Sequence, residues 1–321
     1  MLISTKDNND LTPQLILHKK RRPLLNAIIN NLDIYIVIAI PLLALFIYSY
    51  LPMLGIVIAF KDYKVFDGIL ASKWVGLDNF TRLLSDPKFF SVLGNTLLIN
   101  LYKFIFQFPL PIILALLLNE MRKGYIKKSV QTLTYIPHFL SWVVIAGIFV
   151  DILSPSTGII NTIIKGLGFE SITFLGDERF FRSILVISSA WKETGWSAIV
   201  YLAALTAIDP ELYSAASVDG AGRLRQTWNV TLPGISGTIA FVIILRASSL
   251  LGSDTEQVLL LLNPLVYNVG DIIGTYVYRE GIQNANYSYT TAVGLFVSVI
   301  SFTLLIIANK ISTRYTSRGI W

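Results

Sequence analysis

Six long apolar runs alternate with shorter polar segments along the chain, covering residues 32–60, 92–118, 133–153, 183–207, 235–251 and 290–311. About twenty apolar residues in a helix, rising 1.5 Å each, match the roughly 30 Å of hydrocarbon in a bilayer. The pattern predicts an all-α membrane protein with six transmembrane helices. The first run opens after Lys19, Lys20, Arg21 and Arg22. Basic residues before an apolar run also describe a signal peptide. This run exceeds the apolar stretch of a signal and no small-residue cleavage site follows it, so it reads as an uncleaved span. Pro41, Pro52, Pro109, Pro111 and Pro137 fall inside runs. Proline removes a backbone donor, which a bundle tolerates where neighbours satisfy the freed groups.

The bias of lysine and arginine orients the spans. Arg122, Lys123, Lys127 and Lys128 cluster in segment 119–130, on the same side as Lys19 to Arg22, Arg314 and Arg318. Segments on the other side are poorer in basic residues, which mix there with Asp62, Asp67, Asp78, Asp86, Glu170, Asp177 and Glu178. Both termini are therefore expected in the cytoplasm. Residues 1–33 form an N-terminal cytoplasmic segment, 34–311 the six-helix domain, and 312–321 a cytoplasmic tail. Segments 61–91 and 253–289 become outer loops, with Trp74, Tyr276 and Tyr289 among the aromatics near outer boundaries.

Composition sharpens this picture. Mean hydropathy is +0.62 and only 14% of residues are charged, where soluble domains carry about a quarter. The net charge of +6 is explained by topology, so no nucleic-acid partner is implied. There is no cysteine, and the two histidines, His18 and His138, lie far apart. Disulfides and thiolate metal sites are excluded, and no metal site is expected on this chain. An intramembrane enzyme would need a nucleophile, paired carboxylates or metal ligands at depth. None is visible, so no catalytic residue is assigned. A self-contained secondary transporter or channel stays open at this level, although no inverted repeat is evident.

The polar segment 208–233 has more structure than a connector needs. Asp209 is a good N-cap, Pro210 suits the first helical position, Glu211 complements the helix dipole, and Gly220 is placed to end the helix. Leu212, Ala215, Ala216 and Asp219 share a face at helical spacing. A second short helix, 222–230, aligns Leu224 with Trp228, and Pro233 opens the next span. Two amphipathic helices between spans fit either a docking element or a pair lying on lipid headgroups.

Ser214-Ala215-Ala216-Ser-Val-Asp219-Gly220-Ala221-Gly, followed by Trp228-Asn-Val-Thr-Leu232-Pro233, resembles the EAA motif of ATP-binding-cassette importer permeases. Ser214 stands where that family has its glutamate. Pro52 to Tyr63, Trp74 to Phe80, Pro111 to Glu120, Tyr135 to Trp142 and Trp191 to Trp196 look like the LplB-type branch of the carbohydrate class, related to the MalF-type maltose permease subunit. The likeness covers nearly the whole chain. It implies a MalF-like type I importer fold and import of oligosaccharides released from complex polysaccharides. It also implies that the EAA loop docks on a separate ATPase. ATP and Mg would be bound by two copies of that subunit, since this chain has no G-x-x-x-x-G-K-[S/T] sequence. The further partners implied are a second, different permease subunit and an extracytoplasmic solute-binding protein. The location implied is the bacterial cytoplasmic membrane. With serine at 214, coupling would rest more on packing, or on a companion subunit that keeps the acidic residue.

Lys103, Lys192, Glu193 and Arg246 fall within predicted spans. Such residues are costly in lipid and usually face a cavity or a partner. Trp191, Trp196 and Tyr201 lie near them and offer faces on which sugar rings could stack. These seven residues are the candidate substrate path. Three cations against one anion suit an acidic, uronate-containing oligosaccharide. The alternative is a fixed salt bridge, for example Glu193 with Lys103 or Arg246.

Overall fold

The computed structural model describes residues 31–121, 124–252 and 254–316. Lys19, Lys20, Arg21, Arg22, Arg122, Lys123 and Arg318, which carry part of the orientation argument, lie outside the described residues. So do His18, most of the expected segment 1–33 and half of the tail. The chain divides into two units, Met1–Gly55 and Ile56–Trp321.

The first unit contributes most of helix α1 (Leu32–Phe60). It is α-helical to Leu45, loosens to i→i+5 turns over Phe46–Tyr50, and tightens to i→i+3 turns over Leu51–Phe60. The change of pitch falls at Pro52, which brings no N–H to the ladder. Every residue from Leu32 to Leu54 is exposed, as an apolar surface meant for lipid would be.

The second unit opens with an antiparallel ribbon, β1 (Lys61–Asp62) against β2 (Lys73–Trp74), pairing Lys61 with Trp74 and Asp62 with Lys73. Helix α2 (Asp78–Ser85) leads to α3 (Pro87–Glu120), which runs through Pro109 and Pro111. Asp86 caps α3. Its carboxylate accepts from the Lys88 N–H at 2.9 Å and from the Tyr276 and Tyr289 hydroxyls at 2.9 and 3.1 Å. These two tyrosines, expected at the membrane surface, are instead buried around that carboxylate. Burial of Asp86 opposes its ionisation, but the donated hydrogen bonds outweigh it and hold the carboxyl below its ordinary value. A depressed carboxyl contributes stability above its unfolded pKa of about 4, and loses it as pH falls through the folded value. Asp86→Asn should therefore lower the thermal midpoint at pH 7, and its deficit against wild type should shrink below about pH 4. A deficit constant with pH would show that the charge is irrelevant.

Helices α4 (Tyr125–Phe139) and α5 (Trp142–Leu153) meet at 103°. The span expected over 133–153, with Pro137 inside it, is therefore a broken one. Pro137 weakens the end of α4, Leu140 is extended, and Ser141 caps α5 by accepting from the Val144 N–H. Helix α6 (Glu178–Thr206) follows, capped by Asp177. Next come α7 (Pro210–Val218), α8 (Arg223–Gly234) and α9 (Ser236–Ser248), the last two bent by 60° at Ile235. Short helices α10 (Thr255–Leu261) and α11 (Ile273–Val277) precede α12 (Tyr287–Thr316). Among the described residues, α1, α3 and α12 are long and apolar enough to cross a membrane, and α4–α5 and α8–α9 pass as bent pairs. The remaining predicted span, 183–207, falls on α6, which is 29 residues long but carries Lys192 and Glu193 at its centre and is not among the helices apolar enough to count.

Within the expected outer loop 253–289, residues 254–289 return into the helix bundle. Gln257 and Val258 are fully buried. Val258, Leu261, Val266 and Ile272 pack with Ile99, Ala146, Phe181 and Leu185. Irregular backbone inside a bundle survives only if neighbours satisfy its polar groups. One inward stripe of α3 does this. Asn95 donates to the Asn268 carbonyl (2.8 Å), Thr96 accepts from the Ile273 N–H (2.9 Å), and Asn100 donates to the Leu250 carbonyl (2.6 Å). The predicted inner and outer segments keep separate company. Arg223 of α8 pairs with Glu120 at the end of α3 (3.2 Å), while the Tyr63 N–H donates to Ser288 (2.8 Å).

Candidate functional site

The helix expected over 209–220 is present as α7. Asp209 accepts from the Glu211 N–H at 2.9 Å, and Pro210 occupies the first turn. At the other end Gly220 takes φ +74°, and the Ala221 N–H reaches back to the Ala216 carbonyl at 2.9 Å. Glycine adopts that left-handed conformation without the penalty of a Cβ. The second helix extends further than expected, to Gly234. It widens to i→i+5 turns over Thr227–Thr231, just before Pro233, where a proline cannot donate.

Two contacts brace α7 on α8. The Tyr213 hydroxyl lies 3.1 Å from the Thr231 hydroxyl, and Gln226 donates to Ser217 at 2.9 Å. Ala216 and Ala221 face inward and are half-buried, and Leu232 is also partly covered. Ser214, Ala215, Asp219, Gly220, Trp228 and Pro233 are exposed, with Leu212, Val218 and Leu224 beside them. The shared face is therefore split: Ala216 serves the loop itself, while Leu212 and Ala215 point outward. Ser214 donates to the Pro210 carbonyl of its own helix at 3.3 Å.

The charged candidates separate into different roles. Lys103 is buried and bonds Asp254 Oδ2 at 2.7 Å and Gln257 Oε1 at 2.6 Å. Gln257 in turn donates to the Leu185 carbonyl and to Ser188, both at 2.7 Å. Lys192 sits at the α4–α5 break. Its ammonium donates to the carbonyls of His138 (2.8 Å) and Leu140 (2.5 Å) and lies 5.5 Å from the Trp142 ring centre. Carbonyls at a helix end have no partner within the helix and lie at the negative end of its dipole. A lysine there both satisfies the break and stabilises it.

Glu193 pairs with His138 at 3.1 Å, not with Lys103 or Arg246. The His138 ring stacks flat on Trp196 with centroids 4.5 Å apart. Trp191 and Trp196 keep exposed faces, whereas Tyr201 is buried in an apolar core with Ile112, Ala115, Ala198 and Ile235. Arg246, exposed on α9, lines one cleft with Lys103, Asp254, Asn100, Gln107, Ser249, Phe104 and Phe108. Thus Lys103 and Arg246 come together, while Lys192 and Glu193 serve the α4–α6 junction. Among the described residues no group of three or more His, Asp or Glu side chains is placed to hold a metal.

Sequence reasoning missed Asp254, Gln257 and His138 as partners. A buried lysine demands an acceptor, but nothing local assigns Lys103 to a carboxylate 151 positions away. His138 precedes a break whose geometry turns its ring toward α6.

Residues 107–317 match the family described as "Binding-protein-dependent transport system inner membrane component". The chain is 45% identical over 303 residues to the polygalacturonan/rhamnogalacturonan transport system permease protein YteP of Bacillus subtilis, covering 94% of each. It is 46% identical to protein LplB of the same organism, covering 90% of this chain and 91% of that one. Among solved structures, a chain of a bacterial ABC transporter involved in import of the acidic polysaccharide alginate is 38% identical, with a TM-score of 0.84 over 91% of this chain and 99% of the other. A second structure, of an alginate transporter in complex with an alginate pentasaccharide-bound periplasmic protein, gives a TM-score of 0.85 at 37% identity, over 93% of this chain and 100% of the other.

Proposed function

Since the chain belongs to the family of binding-protein-dependent transport system inner membrane components, as a permease subunit of an ATP-binding-cassette carbohydrate importer, we propose that its cargo is an acidic oligosaccharide released from a complex polysaccharide. One observation carries the reading. The chain resembles, over nearly its full length, proteins named for polygalacturonan, rhamnogalacturonan and alginate, all polymers of or containing uronates. The cargo would be delivered by an extracytoplasmic solute-binding protein. The complex would hold a second, different permease and two copies of the ATPase, in the bacterial cytoplasmic membrane. The six-helix domain spans 34–311, with cytoplasmic segments 1–33 and 312–321.

In this reading segment 208–233 couples transport to ATP. The capped α7, the brace from Tyr213 and Ser217, and the exposed apolar residues Leu212, Ala215, Val218, Leu224 and Trp228 support a rigid docking element. Ser214 and Asp219 lie on its rim, and Ala216, Gly220, Ala221, Leu232 and Pro233 hold its shape. Trp191 and Trp196 offer their exposed faces to sugar rings along the path. Lys103, Lys192, Glu193 and Tyr201 act from behind, by holding the helices that line it.

Reconstituting the complex and measuring ATP hydrolysis with liganded binding protein tests the assignment. Oligogalacturonate should stimulate hydrolysis and drive uptake, and Ala215→Arg should abolish both while the permease remains folded. Uptake that persists without the ATPase would point to a self-contained transporter. Normal stimulation in Ala215→Arg would remove the docking role.

A further inference from the structure

The three cations that the sequence places inside the spans are not equivalent. Lys103 is matched by Asp254 at 2.7 Å and by Gln257, and its side chain is 6% exposed. Lys192 is committed to the carbonyls of His138 and Leu140. The guanidinium of Arg246 is different. Among the described residues it has no carboxylate within ion-pair distance and no hydrogen bond, and it is exposed into the cleft between α3 and the end of α9.

The rest of that cleft has the chemistry of a sugar. Asn100, Gln107 and Ser249 supply amide and hydroxyl groups, and the rings of Phe104 and Phe108 stack at 5.3 Å to form an apolar wall. Asp254 also lines it, with its side chain about a quarter exposed. A bare carboxylate there would repel an anionic ligand. With its negative charge matched by Lys103, Asp254 becomes a hydrogen-bond acceptor suited to a ring hydroxyl, and Arg246 leaves the cleft one positive charge in excess. A planar guanidinium presents parallel N–H donors that fit a carboxylate in a two-pronged contact.

We infer that Arg246 reads the carboxylate of a uronate unit in the translocation path, with the Lys103–Asp254 pair as its neutral floor. The inference rests on the acidic-oligosaccharide reading above and deepens it. Arg246 is the specificity-determining residue, Lys103 positions Asp254, and Lys192 plays no part in selection.

The test uses the full reconstituted complex in proteoliposomes. It is given a mixture of free-acid and methyl-esterified galacturonate trisaccharides at concentrations that saturate the binding protein with both. The ratio imported is read by mass spectrometry. Any preference of the binding protein is common to wild type and variant, so it cancels in the comparison. Arg246→Gln should shift the ratio toward the ester by about tenfold or more, the scale of one charge-assisted contact. Arg246→Lys should recover part of the preference. The imported ratio is the deciding readout, because a merely structural residue would lower import of both trisaccharides without changing their ratio. An unchanged ratio, or equal loss of both substrates together with hydrolysis, would overturn the inference. If the wild-type complex imports neither trisaccharide while importing neutral oligosaccharides, the cargo reading itself falls. That outcome is separate from any effect of the variant.

Discussion

Gly195→Leu is expected to leave almost no folded permease. A Cβ at this position would lie 1.9 Å from the Thr134 carbonyl oxygen and 2.4 Å from its carbon. Both are backbone atoms of α4, so no side chain can swing aside, and α4 and α6 must part. Overpacking a core costs about 1–3 kcal/mol when side chains can shift; here the backbone must move, and about 3 kcal/mol or more is expected. The same separation would pull Lys192 from the carbonyls of His138 and Leu140, and Glu193 from His138. Even Gly195→Ala should reduce the yield of monodisperse protein and its thermal midpoint. Gly294 of α12 is the control, since a Cβ there meets nothing within 4 Å among the described residues, and Gly294→Ala should be neutral or stabilising. Gly195→Ala as stable as wild type would mean that the close crossing of α4 and α6 is not needed.

Lys103→Met should be the second most damaging change, at about 3–5 kcal/mol, because it strands a partly buried carboxylate. Asp254 loses its counter-ion, and Gln257 Oε1 loses a donor inside the core. Asp254 also sits in a left-handed conformation, φ +66°, at the entry of α10, so the disturbance falls where the chain turns back into the bundle. Lys103→Met combined with Asp254→Asn removes both charges, keeps a side chain that tolerates the left-handed conformation, and should recover a large share of the loss. The coupling between the two sites is then the excess over additivity. Strict additivity in thermal unfolding would mean that the ion pair contributes nothing.

These two results concern contacts that the linear order of residues hides. The spans, by contrast, were legible because burial in hydrocarbon imposes one simple demand on every segment that crosses it. The α7 helix was legible for a similar reason. Asp209, Pro210 and Gly220 act through local backbone geometry, and the structure shows each doing so. The end of α8 lies beyond the expected 230 because Pro233 reads as the opening of the next span, yet i→i+5 turns ahead of it absorb the missing donor and carry the helix to Gly234.

The return of residues 254–289 into the bundle was not legible. The apolar stretch of α10 is too short to span a bilayer, and Asp254, Glu256 and Gln257 make its start look like a solvated loop. Its burial depends on Asn95, Thr96, Asn100 and Lys103 of α3, which look like ordinary polar interruptions of a span when read alone.

The amino-acid sequence by itself thus determined the membrane-embedded helices, the capped loop helix and the family resemblance, because periodicity, helix caps and short motifs act over a few residues. Only the tertiary structure decided which intramembrane charges are spent and which is available. Ion pairing depends on distance in space, and the partners of Lys103 and Lys192 lie 151 and 54 positions away in the chain. Three apparently equivalent cations became a core ion pair, a helix-break clamp and a guanidinium that faces a cleft with no ion-pair partner among the described residues.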